Sequence, residues 1–225
     1  MHAITPAEIA AIDAAIDRDE VIALTLELCN IPSPMRQERR AGEFVHDWMA
    51  RHGFAPRKVG MTPERFNVIG RYGGGGGPSL LFSSHLDTES PFYDDKDRWA
   101  MTPETVADRQ WLEAWLEGET FHGHAVGNDR GPMACFLLAA KALQRAGIAL
   151  DGTLYLTACP GEIGPEPAEE CAGLDYIGRE LGAAYLLAHG GVAPDYMISA
   201  EGTDFGINWT ACGYADFCIT LRGQA

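Results

Sequence analysis

The chain of 225 residues is 46% hydrophobic and 22% charged, an ordinary balance for a globular protein with a sizeable core. Its 32 acidic residues against 17 basic ones give a net charge of −15. That repels phosphate backbones and anionic lipid, which argues against nucleic-acid or membrane-surface partners. Met1-His2-Ala3-Ile4-Thr5-Pro6 lacks a basic segment leading into an apolar core, and no apolar run approaches the ~20 residues that span a bilayer. The expected location is the cytoplasm. The six cysteines (Cys29, Cys135, Cys159, Cys171, Cys212, Cys218) have no CxxC spacing and read as buried, reduced thiols rather than a zinc site.

In chain order, Val21, Leu24 and Leu28 recur at helical spacing, and Ala41, Phe44, Val45, Trp48 and Met49 form a second one-faced stripe. Ile31-Pro32-Ser33-Pro34 breaks the chain between them, because proline removes a donor and restricts its predecessor. Gly53 ends the second helix. Strands are predicted over 66–72 and 80–84, joined by Gly73 to Gly77. A phosphate-binding loop needs a helix after the glycines; here Pro78 and an apolar strand follow, so the run reads as a flexible strand connection.

Met133, Phe136, Leu137 and Ala140 mark a helix with Pro132 in its first turn and Gly147 just past its end. Residues 153–159 and 196–200 read as short buried strands. Strands alternating with helices predict an α/β domain, a mixed sheet flanked by helices on both faces. Phe217, Ile219 and Leu221 alternate as in a half-exposed strand that starts a new unit. The predicted division is 1–205 and 206–225.

Four segments carry the chemistry. The first is Leu80 to Thr88, in which a buried strand delivers His85 and Asp87 at its carboxyl end, where open α/β sheets place their active sites. A ligand histidine needs its second ring nitrogen held, and Asp87 can do this directly or orient a neighbouring group. In the second segment, Asp129 lies just ahead of a helix, placed to bridge two metals or to act as an ordinary N-cap. His124 nearby reads as a solvated loop histidine. Glu162 and Glu201 each follow a strand directly. Singly they are loop acids; together with His85 and Asp129 they have the layout of an oxygen/nitrogen site for zinc, manganese or cobalt.

These segments, in this order, resemble the aminoacylase / acetylornithine deacetylase / succinyl-diaminopimelate desuccinylase family of metallohydrolases. The resemblance runs through Ile31-Pro32-Ser33-Pro34, Glu38, His85-Leu86-Asp87, Gly127-Asn128-Asp129-Arg130-Gly131, Glu162-Ile163-Gly164 and Ala200-Glu201-Gly202. It implies a zinc-peptidase-like fold with one or two divalent ions. His85, Asp129 and Glu201 would hold one; Asp129, Glu162 and a later histidine would hold the other, with Asp87 supporting His85. It further implies a small-molecule substrate, an N-acyl or peptide-like amide bound through a carboxylate and cleaved at a C–N bond by metal-activated water. Residues 206–225 would begin a lid or dimerisation domain, with a homodimer as the full-length assembly.

One departure bears on mechanism. The family's general base precedes its ligand glutamate, and here that position is Gly161, which cannot carry a proton. Either Glu162 is the base, or another acid such as Glu166, Glu169 or Glu170 supplies it. The alternatives are a nitroanthranilate-like aminohydrolase that displaces an aromatic amino group, a non-catalytic relative, or a structural domain whose acids are caps.

Overall fold

The computed structural model describes residues 3–89, 107–163, 178–204, 206–210 and 221–223. Helix α1 (Pro6–Ala15) opens on a reciprocal cap: the Glu8 N–H donates to the Thr5 hydroxyl at 3.2 Å, and the Thr5 N–H donates to the Glu8 carboxylate at 2.8 Å. Asp17 caps α2 (Arg18–Cys29) from one side only, its carboxylate accepting the N–H groups of Asp19 and Glu20. The proline-containing break follows, then α3 (Arg39–Arg51), whose Ala41, Val45, Trp48 and Met49 are buried. Gly53, at φ +77°, turns the chain out of α3.

Strands β1 (Arg57–Val59), β2 (Asn67–Gly73) and β3 (Ser79–His85) come next, then a short helix α4 (Arg109–Leu112) and a small hairpin of β4 (Trp115–Glu117) and β5 (Thr120–His122). Helix α5 (Gly131–Arg145) leads to β6 (Thr153–Cys159), and α6 (Ala183–His189) to β7 (Tyr196–Ser199). The main sheet has the order β1-β2-β6-β3-β7. β1 and β2, and β2 and β6, pair antiparallel; β6, β3 and β7 run parallel. The sheet is therefore mixed, as expected.

Strand alternation explains the two core layers. Leu154, Leu156 and Ala158 of β6, with Leu80 and Phe82 of β3, face a layer containing Leu24, Leu28, Val45, Trp48 and Leu137 from α2, α3 and α5. Their alternates Leu81 and Cys159 pack with Leu186 of α6 on the other face. The chain leaves β3 over one face and leaves β6 over the other, so the carboxyl end of β3 lies at the crevice where the topology switches.

Three expectations are corrected. The glycine connection is pinned rather than flexible: the Gly74 and Gly77 N–H groups donate to the carbonyls of Gly152 and Asp151 at 3.1 and 2.8 Å. A Cβ on Gly75 would lie 2.0 Å from the Asp151 carbonyl oxygen, so close backbone approach is what demands glycine. Second, β7 is an exposed edge strand, with Tyr196 65% and Ile198 46% accessible; it pairs with β3 alone, and no described strand lies beyond it. Third, Cys29 and Cys159 are buried, but Cys135 is exposed on α5; Cys171, Cys212 and Cys218 lie outside the described residues. So does most of the predicted strand around Phe217 and Ile219; residues 206–210 and 221–223 carry no regular structure. No described helix is long and apolar enough to cross a membrane.

Candidate metal centre

Because β3, β6 and β7 are parallel, their carboxyl ends open on one edge of the sheet. His85 is the last residue of β3, Glu162 lies three residues past β6, and Glu201 two past β7. Asp129 comes from the turn Val126–Arg130 ahead of α5, where Asn128 and Asp129 leave helical geometry across a cis peptide. Ligand atoms of His85, Asp129 and Glu201 lie within 4.8 Å of one another. His85 and Asp129 are buried, while Glu201 is exposed. The Glu162 carboxylate stands beside this group, 3.8 Å from His85 Nε2 and half exposed. His85, Glu162 and Glu201 line a cleft of about 600 Å³, walled by Gly182, Ala183 and Met197, within the range of small-molecule sites; Asp129 is buried beside them.

His85 is held from behind. Its Nδ1 lies 2.6 Å from the Asp87 backbone carbonyl, so Nδ1 carries a proton and Nε2 faces the cleft. The Asp87 carboxylate approaches the ring only to 3.7 Å. It is turned instead toward the loop after β6, where Oδ1 and Oδ2 accept the N–H groups of Glu162 (3.1 Å) and Ile163 (2.6 Å). Asp87 thus orients a neighbouring group, the second of the roles open to it in the sequence.

Asp129 is fully buried. Its Oδ2 accepts the Ser84 hydroxyl at 2.5 Å and the His85 N–H at 3.3 Å. Its Oδ1 is buried without a hydrogen-bond partner. An orphaned carboxylate oxygen costs free energy unless something positive satisfies it. A divalent cation fits, and the donor set of imidazole nitrogen and carboxylate oxygens suits zinc, manganese or cobalt. Cys159 also lines the cleft, but burial pushes its thiol up to about 11 and it pairs with the Ser83 hydroxyl at 3.4 Å, so it stays protonated.

The electrostatics agree with crowded acids in a dry site. Burial raises Asp129 to about 7; the Ser84 hydrogen bond opposes this and the Glu201 charge adds to it. Burial likewise raises Asp87 to about 6, with His85 opposing and the charge of Glu38 adding. Glu201 is raised by burial. Burial acts to lower His85, but the charges of Asp87, Asp129, Glu162 and Glu201 outweigh it and its pKa is raised. A bound cation reverses this balance for the carboxylates.

Several supporting residues stand within the motifs of the resemblance, but the sequence assigned them no role. Ser33, within the proline break, donates its hydroxyl to the Leu86 carbonyl at 2.7 Å and accepts the Thr88 N–H at 2.9 Å, clamping the His85–Asp87 turn. Arg130, fully buried, donates to the carbonyls of Leu28 and Leu86, tying α2 to the same turn. Glu38, also buried, forms a two-point ion pair with Arg65 at 2.7 and 3.1 Å. His124 is not a solvated loop residue: it stacks on Trp111 and pairs with Glu89 at 2.9 Å, away from the cleft. Glu166, Glu169 and Glu170 lie outside the described residues.

Gly161 is set by its surroundings. Its φ is +79°, and a Cβ there would lie 2.3 Å from the Gly178 carbonyl oxygen. The backbone at 161 has no room for any side chain.

No protein-family model matches the chain. Over 193 residues it is 27% identical to N-formyl-4-amino-5-aminomethyl-2-methylpyrimidine deformylase of Bacillus subtilis, covering 80% of this chain and 43% of that protein. The structure is similar to a tripeptidase from Staphylococcus aureus, with a TM-score of 0.55 at 15% identity over 83% of this chain and 44% of that one. It is also similar to an M20-family metallo-carboxypeptidase from Sulfolobus solfataricus, with a TM-score of 0.55 at 16% identity over 81% and 37%. The chain has the α/β fold of these peptidases. It spans less than half the length of the curated relatives it matches.

Proposed function

We propose that this chain carries the metal-binding part of a hydrolase that cleaves a C–N bond in a small, carboxylate-bearing molecule such as an N-acyl amino acid or dipeptide-like amide. The observation that carries this reading is the convergence of His85, Asp129 and Glu201 within 4.8 Å beside the cleft, with the buried Asp129 Oδ1 unpartnered. The likeness to a deformylase and to two peptidases, all named for amide cleavage, supports it.

In this reading His85, Asp129 and Glu201 would hold a divalent ion. Such an ion polarises a carbonyl oxygen and lowers the pKa of water. Glu162, at the rim of the same cleft, takes the proton from the attacking water on its carboxylate and returns it to the leaving nitrogen. Asp87 keeps Glu162 in place through the backbone N–H it accepts. Ser84 and the His85 N–H hold Asp129 so that one oxygen stays free for the ion.

A second reading draws on Gly161. Since its backbone leaves no room for a side chain, the acid that the resemblance places there has no counterpart. An aminohydrolase that displaces an aromatic amino group with water therefore stands as the alternative reaction.

Elemental analysis of purified protein, with hydrolysis assayed before and after chelation on N-acyl amino acids, dipeptides and aminobenzoates, tests the proposal. Bound zinc or manganese, with activity lost on chelation and restored by the ion, is expected. Absence of bound metal, or activity indifferent to chelation, would overturn it; turnover of the aminobenzoates alone would select the second reading.

A further inference from the structure

His85 Nδ1 is committed to the Asp87 carbonyl, which can only accept, so the lone pair of the neutral ring is on Nε2. The atom that faces Nε2 is not a carboxylate of the acid cluster. It is Oδ1 of Asn128, at 2.7 Å. Two acceptors at that separation become compatible when the amide turns its NH₂ toward the ring, when a proton sits on Nε2, or when both ligate one cation. Asn128 reaches this position because it departs from helical geometry, at φ −132° and ψ 88°, just ahead of Asp129.

The neighbouring carboxylate has little more to offer. Asp129 Oδ2 already accepts two hydrogen bonds, which leaves Oδ1 as its single available atom. A carboxylate that bridges two cations commonly gives one oxygen to each, and Oδ2 is the oxygen already engaged by Ser84 and the His85 N–H. An amide contributes one ligating oxygen and no charge.

Resting on the metal-centre reading above, we infer that Asn128 is a member of the centre, a neutral oxygen ligand next to His85 Nε2, and that the centre holds one divalent ion rather than two. Ligand charge count tunes affinity for hard divalent cations, so an amide in place of a carboxylate gives a weaker, single-ion site.

The test is metal binding, independent of turnover. The 225-residue chain and its Asn128→Asp and Asn128→Ala variants are freed of metal, then titrated calorimetrically with manganese(II) or zinc(II) alone; bound metal is counted by elemental analysis. Circular dichroism of the metal-free proteins checks folding, and the isosteric Asn128→Asp keeps the experiment informative where the alanine variant does not fold. One equivalent is expected for the unaltered chain. Asn128→Ala should weaken binding about 10- to 100-fold, as loss of a metal-site partner does. Asn128→Asp should bind more tightly than the unaltered chain. An amide that merely hydrogen-bonds the ring predicts no tightening with aspartate, and unchanged affinity in both variants overturns the role of Asn128. Two equivalents in the unaltered chain overturn the single-ion count. No binding by the unaltered chain overturns the metal-centre reading itself, and this inference with it.

Discussion

Asp87 and Glu162 are joined through the backbone: the buried Asp87 carboxylate accepts the Glu162 N–H at 3.1 Å, and its other oxygen accepts the Ile163 N–H at 2.6 Å. The end of β3 thereby fixes the loop that follows β6, and the acid nearest His85 Nε2 is held by a residue whose own carboxylate stays 3.7 Å from the ring. Asp87 is a positioning residue.

Asp87→Asn replaces one accepting oxygen with an NH₂ that faces a backbone donor. Hydrogen exchange at the amides of Glu162 and Ile163 is expected to accelerate, and metal affinity to fall by about 10- to 100-fold, the usual cost of losing an outer-shell partner. Unchanged exchange at both amides would contradict this placement.

Ser84→Ala deletes the hydroxyl that bonds Asp129 Oδ2 and holds its pKa down. The carboxyl then rises further above its present value of about 7. Metal affinity near neutral pH should drop by about tenfold and recover at higher pH. A titration of affinity against pH, shifted upward relative to the unaltered chain, is the expected signature.

The raised carboxyls also set a pH dependence of the metal-free fold. Asp87 at about 6 and Asp129 at about 7 lie above their ordinary value of 3.8, so the native state binds more protons than the unfolded chain across that window. The sign is then fixed: their contribution is fully present below about pH 4 and is lost as pH rises through their folded values. Metal binding requires the deprotonated acid, so it should release protons near pH 6 and release fewer near pH 8. Calorimetry in two buffers of different ionisation enthalpy measures this. Equal proton release at both values would count against burial of these acids.

At Gly161, introducing alanine forces a Cβ toward the Gly178 carbonyl at a φ of +79°. A loss of roughly 1–3 kcal/mol in unfolding free energy is expected, the typical cost of a side chain in such a conformation. Gly161→Glu should suffer the same strain and gain no turnover. A rise in hydrolysis with Gly161→Glu would show that the loop can accept a base there.

Much of the fold was legible because burial and periodicity coincide in this chain. The stripe through Ala41, Val45, Trp48 and Met49, the helix after Pro132 and the strand Thr153–Cys159 all stand where the pattern put them. β7 was misread as buried because Tyr196, Met197 and Ile198 are apolar, and composition cannot distinguish a central strand from an edge. His85, Asp129 and Glu201 were each marked by a place at or just beyond an element end, a local property. Most of what they touch was not legible: apart from the local bond of His85 to the Asp87 carbonyl, these contacts join residues far apart in sequence, Ser84 with Asp129, Asp87 with Glu162, Ser33 with Leu86, His85 with Asn128.

By itself, then, the sequence determined the α/β class, the strands that deliver the acids and the candidate donors, because helix and strand periods and the turns that end them are written within a dozen residues. Only the tertiary structure decided which atoms of those donors are free. The parallel registers of β6, β3 and β7 bring three strand ends to one edge, and burial there leaves Asp129 a single unpartnered oxygen and sets an uncharged amide against His85 Nε2.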